Sequence, residues 1–329
     1  MQEIEIQTIK GFRFGNAHNL KAATGCTVIL CEQGAVCGVD VRGGSPGTRD
    51  TDALHPVNNR TETHAVILSG GSSFGLDAAG GVMQFLEQRH IGRNVGVTVV
   101  PNVCSAILFD LKCGDPFVRP DAKMGYEACE NAYGAVFSEG SAGAGAGATI
   151  GKSRGLPFSM KGGLGTAAFQ QGKLQVGAVM AVNCVGDIYD DRIGQLVAGA
   201  LEDDLLTLAN SEQVILETYH QKKDLFSGNT IIGCIVSNAA MNKSQTTKLA
   251  SIGHNGIARA VRPAHSIFDG DTIFAMSTGQ VETTFDAVGI LAAEAVRCAI
   301  LNAVKQADSL GQRMSYQELI QKREKSGQK

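Results

Sequence analysis

With 329 residues, 43% of them apolar and 19% charged, the chain can bury a sizeable core and has the make-up of a well-packed globular protein. A net charge of −3 gives no support for binding nucleic acid or an anionic membrane surface, and basic residues cluster only in a mixed-sign tail around Lys322–Lys325. Nine cysteines, an odd number with no C-x-x-C pair and mostly inside apolar runs, argue against a disulfide framework or a zinc site and for buried thiols in a reducing cytoplasm.

The charged, alternating start MQEIEIQTIK argues against a signal peptide, and no apolar run is expected to reach membrane-spanning length. Forty-one glycines, no tryptophan and 5% aromatics predict a core of aliphatics and alanine with many close backbone approaches. In chain order, Cys26–Cys31 and Ala35–Val41 flank Glu32-Gln33-Gly34 and read as a hairpin. A Gly/Pro-rich loop follows at 43–49. His64–Leu68 is a short strand, Leu76, Ala79, Met83 and Leu86 recur at helical spacing, and Val95–Val100 is a strand stopped by Pro101.

Residues 140–165 are glycine-rich. Val176–Val185 reads as a long strand, Ile193–Leu206 as a helix, and Thr230–Val236 as a buried strand after the polar stretch 217–228. A helix through Leu249, Ile252, Ile257 and Val261 closes at Pro263. Asp271–Ser277 is a further strand, and a long helix carries Phe285, Val288, Leu291, Ala292, Ala295, Val296, Ile300 and Val304 on one face. These elements imply stacked α/β layers around a shared core in one domain, with 217–228 as its best internal break.

Few segments carry chemistry by themselves. Gly151-Lys152-Ser153 ends like a phosphate loop, but Ala146 stands where the first glycine belongs, so close backbone packing is the better reading, with oxyanion-binding amides as an alternative. Lys152 alone reads as a solvated loop cation. The histidines at 18, 55, 64, 90, 220, 254 and 265 lack metal-ligand spacing, and no cofactor motif is present. Asn183 lies within an apolar strand, where its amide must be satisfied or functional. Thr230 opens a strand as a β-former, yet a threonine freed at its amine carries nucleophile and base on one residue. Asp269-Gly270-Asp271 is a turn before a strand, or a pair of carboxylates that orients an amine.

Taken in order, Gly25–Ile29, Arg42–Arg49, Leu68–Leu76, Glu139–Gly145, Gly151-Lys152, Asn183, Asn229-Thr230 and Asp269–Thr272 resemble the L-aminopeptidase/D-esterase family over nearly the whole chain. That family includes β-peptidyl aminopeptidases and hydrolases of aminohexanoate oligomers. The resemblance implies a four-layer α/β/β/α sandwich of the N-terminal-nucleophile type, a self-cleaving precursor, and a homo-oligomer, with a tetramer as one option. Thr230 resembles the nucleophile and Asn183 the oxyanion donor. Asn229-Thr230 and Asp269-x-Asp271, with Lys152, are similar to the oligomer-hydrolase branch rather than to the β-peptidyl branch, which has Gly-Ser at the cut and a Ser-x-Glu pair.

The expected function is therefore an autoprocessed threonine hydrolase of small peptides, amides or esters, cut into 1–229 and 230–329. One of the two aspartates is expected to touch the Thr230 amine. Acyl transfer by the same threonine, or an uncleaved binding protein, are the alternatives.

Overall fold

The computed structural model describes residues 1–134, 136–220 and 228–327. Ten strands carry its main sheets: β1 (Gln2–Ile4), β2 (Arg13–Asn19), β3 (Thr24–Val41), β4 (Thr48–Arg49), β5 (Thr63–Ser69), β6 (Val103–Ile107), β7 (Gly163–Gln171), β8 (Leu174–Asn183), β9 (Thr230–Ala239) and β10 (Thr272–Val281). The helices among the described residues are α1 (Ala78–Gln88), α2 (Ala122–Asn131), α3 (Ser211–Glu217), α4 (Lys243–Ala260), α5 (Phe285–Lys305) and α6 (Tyr316–Ser326).

One sheet runs β1-β7-β8-β9-β10-β3, and the other is built from β2, β3, β5, β6 and β4. Two neighbouring pairs are parallel, β9 with β10 and β5 with β6. Each needs a crossover, which α4 and α1 supply. Strand β3 belongs to both sheets. Its first half pairs with β2 and β5, and its second half, Val36–Val41, pairs with β10.

Alternation along the strands sorts the apolar residues into three layers. Val176, Ala178, Met180 and Val182 of β8 face α4 and α5, while Val179 and Ala181 meet the second sheet. On β3, Ile29 and Cys31 point between the sheets, and Cys26, Val28 and Leu30 pack under α1 and α2. Three cores between four layers make an α/β/β/α sandwich. On α5, Val288, Leu291, Ala292, Ala295, Val296, Ala299 and Ile300 form the packed stripe that helical periodicity predicts.

Four local expectations are corrected. The segment 26–41 is one bent strand and not a hairpin. Gly34, at φ +77°, sits within a register shift between Leu30 and Ala35, so Glu32-Gln33-Gly34 bulges the strand from one sheet to the other. The expected helix at 193–206 is instead a small hairpin of Asp187–Asp190 with Gln195–Ala198, followed by turns. Gly194 at φ +65° turns it, and Ile193 is exposed at its tip. The expected strand 95–100 shrinks to Val99–Val100 paired with Arg93–Asn94, and Val97 points into solvent.

Finally, α5 is long and apolar enough to suit a membrane span, with mean hydropathy 1.7, although 72% of that stretch is buried inside the protein. Most of the expected internal break, residues 221–227, lies outside the described residues.

Candidate active site

Strand β8 ends at Asn183 and β9 begins at Thr230, and the two residues are direct antiparallel partners. Both are buried. The parallel neighbour β10 brings Asp269 alongside Asn229 just before its own first residue, Thr272. Three sheet strands thus deliver four of the sequence-predicted residues to one spot.

The Thr230 hydroxyl donates to the carbonyl oxygen of Asn229, the residue before it. The same oxygen accepts the Gly270 N–H at 3.0 Å. One residue upstream, the Gly228 carbonyl accepts from Asn183 Nδ2 at 2.9 Å and from Lys152 Nζ at 3.0 Å. Gly228 has φ +69°, and a β-carbon there would lie 2.2 Å from the Phe109 ring, so only glycine fits.

Asn183 is fully engaged. Its Oδ1 accepts from Thr149 N at 2.9 Å and from Lys152 Nζ at 3.0 Å, and its Nδ2 also donates to the Phe109 carbonyl at 3.1 Å. Lys152 is no solvated cation. It is 2% exposed and donates to Asn183 O, Asn183 Oδ1 and Gly228 O. Burial brings its pKa down to about 8, with Asp269 among the groups that oppose the fall.

The two aspartates have different surroundings. Asp271 Oδ1 accepts the Ile231 N–H at 2.7 Å, and Oδ2 accepts from His265 Nδ1 at 2.7 Å and His265 N at 3.2 Å. Asp269 Oδ2 accepts the Ser266 N–H at 2.7 Å, while its buried Oδ1 meets no hydrogen-bond partner among the described residues. Desolvation first, and then the neighbouring Asp271, push the Asp269 carboxyl up to about 6. The loop 42–45 clamps this turn, because Arg42 N and Gly43 N donate to Asp271 O and Ser45 N donates to Asp269 O.

The glycine-rich run plays a different part from an anion cradle. Its amides at 143–146, 148, 149 and 151 all donate to protein acceptors, as Thr149 N does to Asn183. The amide that meets the relevant carbonyl belongs to Gly270, which sequence reasoning left as a spacer between two aspartates. Phe109 and His265 were also missed. Phe109 carries no sequence signal, and His265 showed only as one of seven scattered histidines. Among the described residues, no group of three or more His, Cys, Asp or Glu side chains could hold a metal ion.

The model of peptidase family S58 matches residues 5–317. An uncharacterised aminopeptidase of Mycobacterium leprae is 38% identical, with 93% of this chain and 91% of that protein covered. A 6-aminohexanoate-oligomer endohydrolase of a Kocuria species is 31% identical over 90% of this chain and 84% of its own length. Two solved structures share the fold at lower identity. The L-aminopeptidase D-Ala-esterase/amidase of Ochrobactrum anthropi, described as a variant of the Ntn hydrolase fold, has TM-score 0.67 at 18% identity, covering 98% and 94% of the two chains. A Burkholderia β-aminopeptidase has TM-score 0.65 at 20% identity, covering 98% and 93%. The chain therefore belongs to peptidase family S58 and is a hydrolase of peptide or amide bonds built on the Ntn hydrolase fold.

Proposed function

We propose that the protein is a precursor that cuts itself between Asn229 and Thr230 and then works as an N-terminal threonine hydrolase on small peptides, amides or esters. One observation carries this reading: the Asn229 carbonyl oxygen is held between its neighbour's hydroxyl and the Gly270 amide. Nucleophile and oxyanion donor meet at a single peptide bond.

In the first step Thr230 Oγ1 bonds to the Asn229 carbonyl carbon, and the oxyanion gathers its charge against Gly270 N–H. The C–N bond breaks, the hydroxyl proton passes to the departing Thr230 nitrogen, and an ester remains. Water then cleaves that ester, leaving a carboxylate on Asn229 and a free amine and hydroxyl on Thr230.

In the mature enzyme the amine takes the proton of its own hydroxyl. Once Gly228 withdraws, Asn183 Nδ2 and Lys152 Nζ are donors for a substrate oxygen, and Asn183 stabilises the oxyanion of the acyl intermediate. Asp269 Oδ1, which has no hydrogen-bond partner among the described residues, accepts from the new ammonium group.

Denaturing mass spectrometry tests the cut. The wild-type chain is expected as two fragments, the second starting at Thr230, and Thr230→Ala as a single 34.4 kDa species. A wild-type chain that stays whole after long incubation refutes the proposal. Product that depends on an added amine acceptor would assign acyl transfer in place of hydrolysis. Assembly as a homo-oligomer is part of the same proposal, and light scattering on the cut protein reads it directly.

A further inference from the structure

We propose that His265 is a positioning residue that fixes the Asp271 carboxylate and, through it, the backbone of Thr230; this rests on the reading of Thr230 as nucleophile. Asp271 is 1% exposed and accepts the N–H of Ile231, the peptide that follows Thr230, at 2.7 Å. A carboxylate pinned at one oxygen can still swing about its own bond. Here the second oxygen is held as well, by the side chain and the backbone N–H of His265, at 2.7 and 3.2 Å. A carboxylate only accepts, so the Nδ1 of His265 carries the hydrogen. Three donors on two oxygens fix the carboxyl plane.

His265 is itself braced. Its backbone sits at φ +58°, in the left-handed region, which persists in a non-glycine residue when surrounding contacts over-determine it. Its ring meets that of His254 edge to face, at 4.8 Å between centroids. His254 is wholly buried and donates from Nε2 to the Asp40 carbonyl at 3.1 Å, near the end of β3. Since that carbonyl only accepts, the His254 Nδ1 is bare, and burial keeps its pKa down at about 4.

The result is a rigid stack from Asp40 through His254, His265 and Asp271 to the peptide after the nucleophile. Neither ring nitrogen of His265 bonds to Thr230: Nδ1 is engaged by Asp271, and Nε2 is buried with no hydrogen-bond partner among the described residues. The arrangement divides the labour of the Asp269-Gly270-Asp271 turn. Asp271 holds backbone, and Asp269 keeps an open oxygen for the amine.

The test compares His265→Asn, His265→Gln and His265→Leu in the full chain. Asparagine places an amide nitrogen where Nδ1 stood and tolerates a left-handed backbone. Glutamine carries its amide past Asp271, and leucine has no donor. The readouts are the fraction self-cleaved over time by denaturing mass spectrometry, and kcat and KM of the cut enzyme on an amino-acid p-nitroanilide.

His265→Leu and His265→Gln are expected to slow cleavage and lower kcat by about 10²-fold with KM nearly unchanged, the scale of a misplaced reacting group, and His265→Asn to recover most of the loss. If His265→Leu does not fold, the Gln and Asn pair carries the same comparison. Equal damage from Asn and Gln, wild-type rates in Gln or Leu, or a change confined to KM would overturn the proposal. A wild-type chain that never cleaves sinks the Thr230 reading instead, and Thr230→Ala marks that baseline.

Discussion

Replacing Asp269 by asparagine in a Thr230→Ala chain removes a buried carboxyl from the uncut site while keeping an acceptor for the Ser266 N–H. The carboxyl is 1% exposed, and its pKa rises from 3.8 to about 6. That difference makes its ionised form cost the fold about 3 kcal/mol. The sign follows from proton counts. As pH climbs from about 4 to 6, the unfolded chain gives up this proton while the folded chain keeps it, so stability falls. Above that window the full cost is present, and asparagine has no proton to lose.

Urea unfolding of Thr230→Ala with and without Asp269→Asn reads the difference directly. The advantage of the asparagine variant over its parent is expected to grow by up to about 3 kcal/mol between pH 4 and pH 7, then level off. Asparagine leaves its own amide unpaired in place of Oδ1, but that cost does not change with pH, so only the growth is diagnostic. A gap that is flat or shrinks with rising pH would refute the argument. In the cuttable chain the same substitution is expected to lower kcat, because the proposed Thr230 amine would lose its carboxylate acceptor. Stability and activity then move in opposite directions.

Three further outcomes follow. Asn183→Ala removes the proposed oxyanion donor and is expected to cut kcat on a p-nitroanilide by about 10²–10³-fold, measurable by steady-state kinetics. Gly228→Ala drives a methyl into the Phe109 ring and strains a left-handed backbone, so mass spectrometry should show slowed self-cleavage and denaturant titration a loss of about 1–3 kcal/mol, with partial recovery in Gly228→Ala/Phe109→Ala. Glu294, paired with Arg192, Arg259 and Arg297, is held at about 2 despite its burial, so the stability it contributes is present above 4.5 and lost as pH falls through about 2. Arg259 keeps Asp191, and Arg297 keeps Asp190 and Asp191, so with Arg192 and Arg259 partly screened by solvent Glu294→Gln is expected to cost about 1–2 kcal/mol at neutral pH by denaturant titration.

The elements that sequence made legible are those whose pattern is set by burial alone. Strands β5, β8 and β9, and β10 as far as Ser277, are nearly continuous apolar runs because they are covered on both faces, and α4 and α5 show one packed stripe. Strand β3 was misread because Glu32-Gln33-Gly34 suits a bulge as well as a reversal. Which one forms depends on partners elsewhere in the chain: β5 for one half, β10 for the other.

The site divides the same way. Asn183 stood out because an amide inside an apolar strand needs partners. Lys152 looked like a loop cation because its burial is made by the end of β8 and by Gly228, both distant in sequence. Gly270, Phe109 and His265 act through contacts that only folding creates.

The place of β9 and β10 in the sheet has a further consequence. Both come from the portion after residue 229, yet they lie between β8 and β3, which come from the portion before it. Severing the backbone ahead of Thr230 would therefore yield two polypeptides interlocked like the fingers of clasped hands, parted only by unzipping the sheet from its middle. Such a molecule records the order of its own making. On the proposed cut it would fold while whole and be severed afterwards, and once melted it would lack the covalent tether that first brought the strands into register.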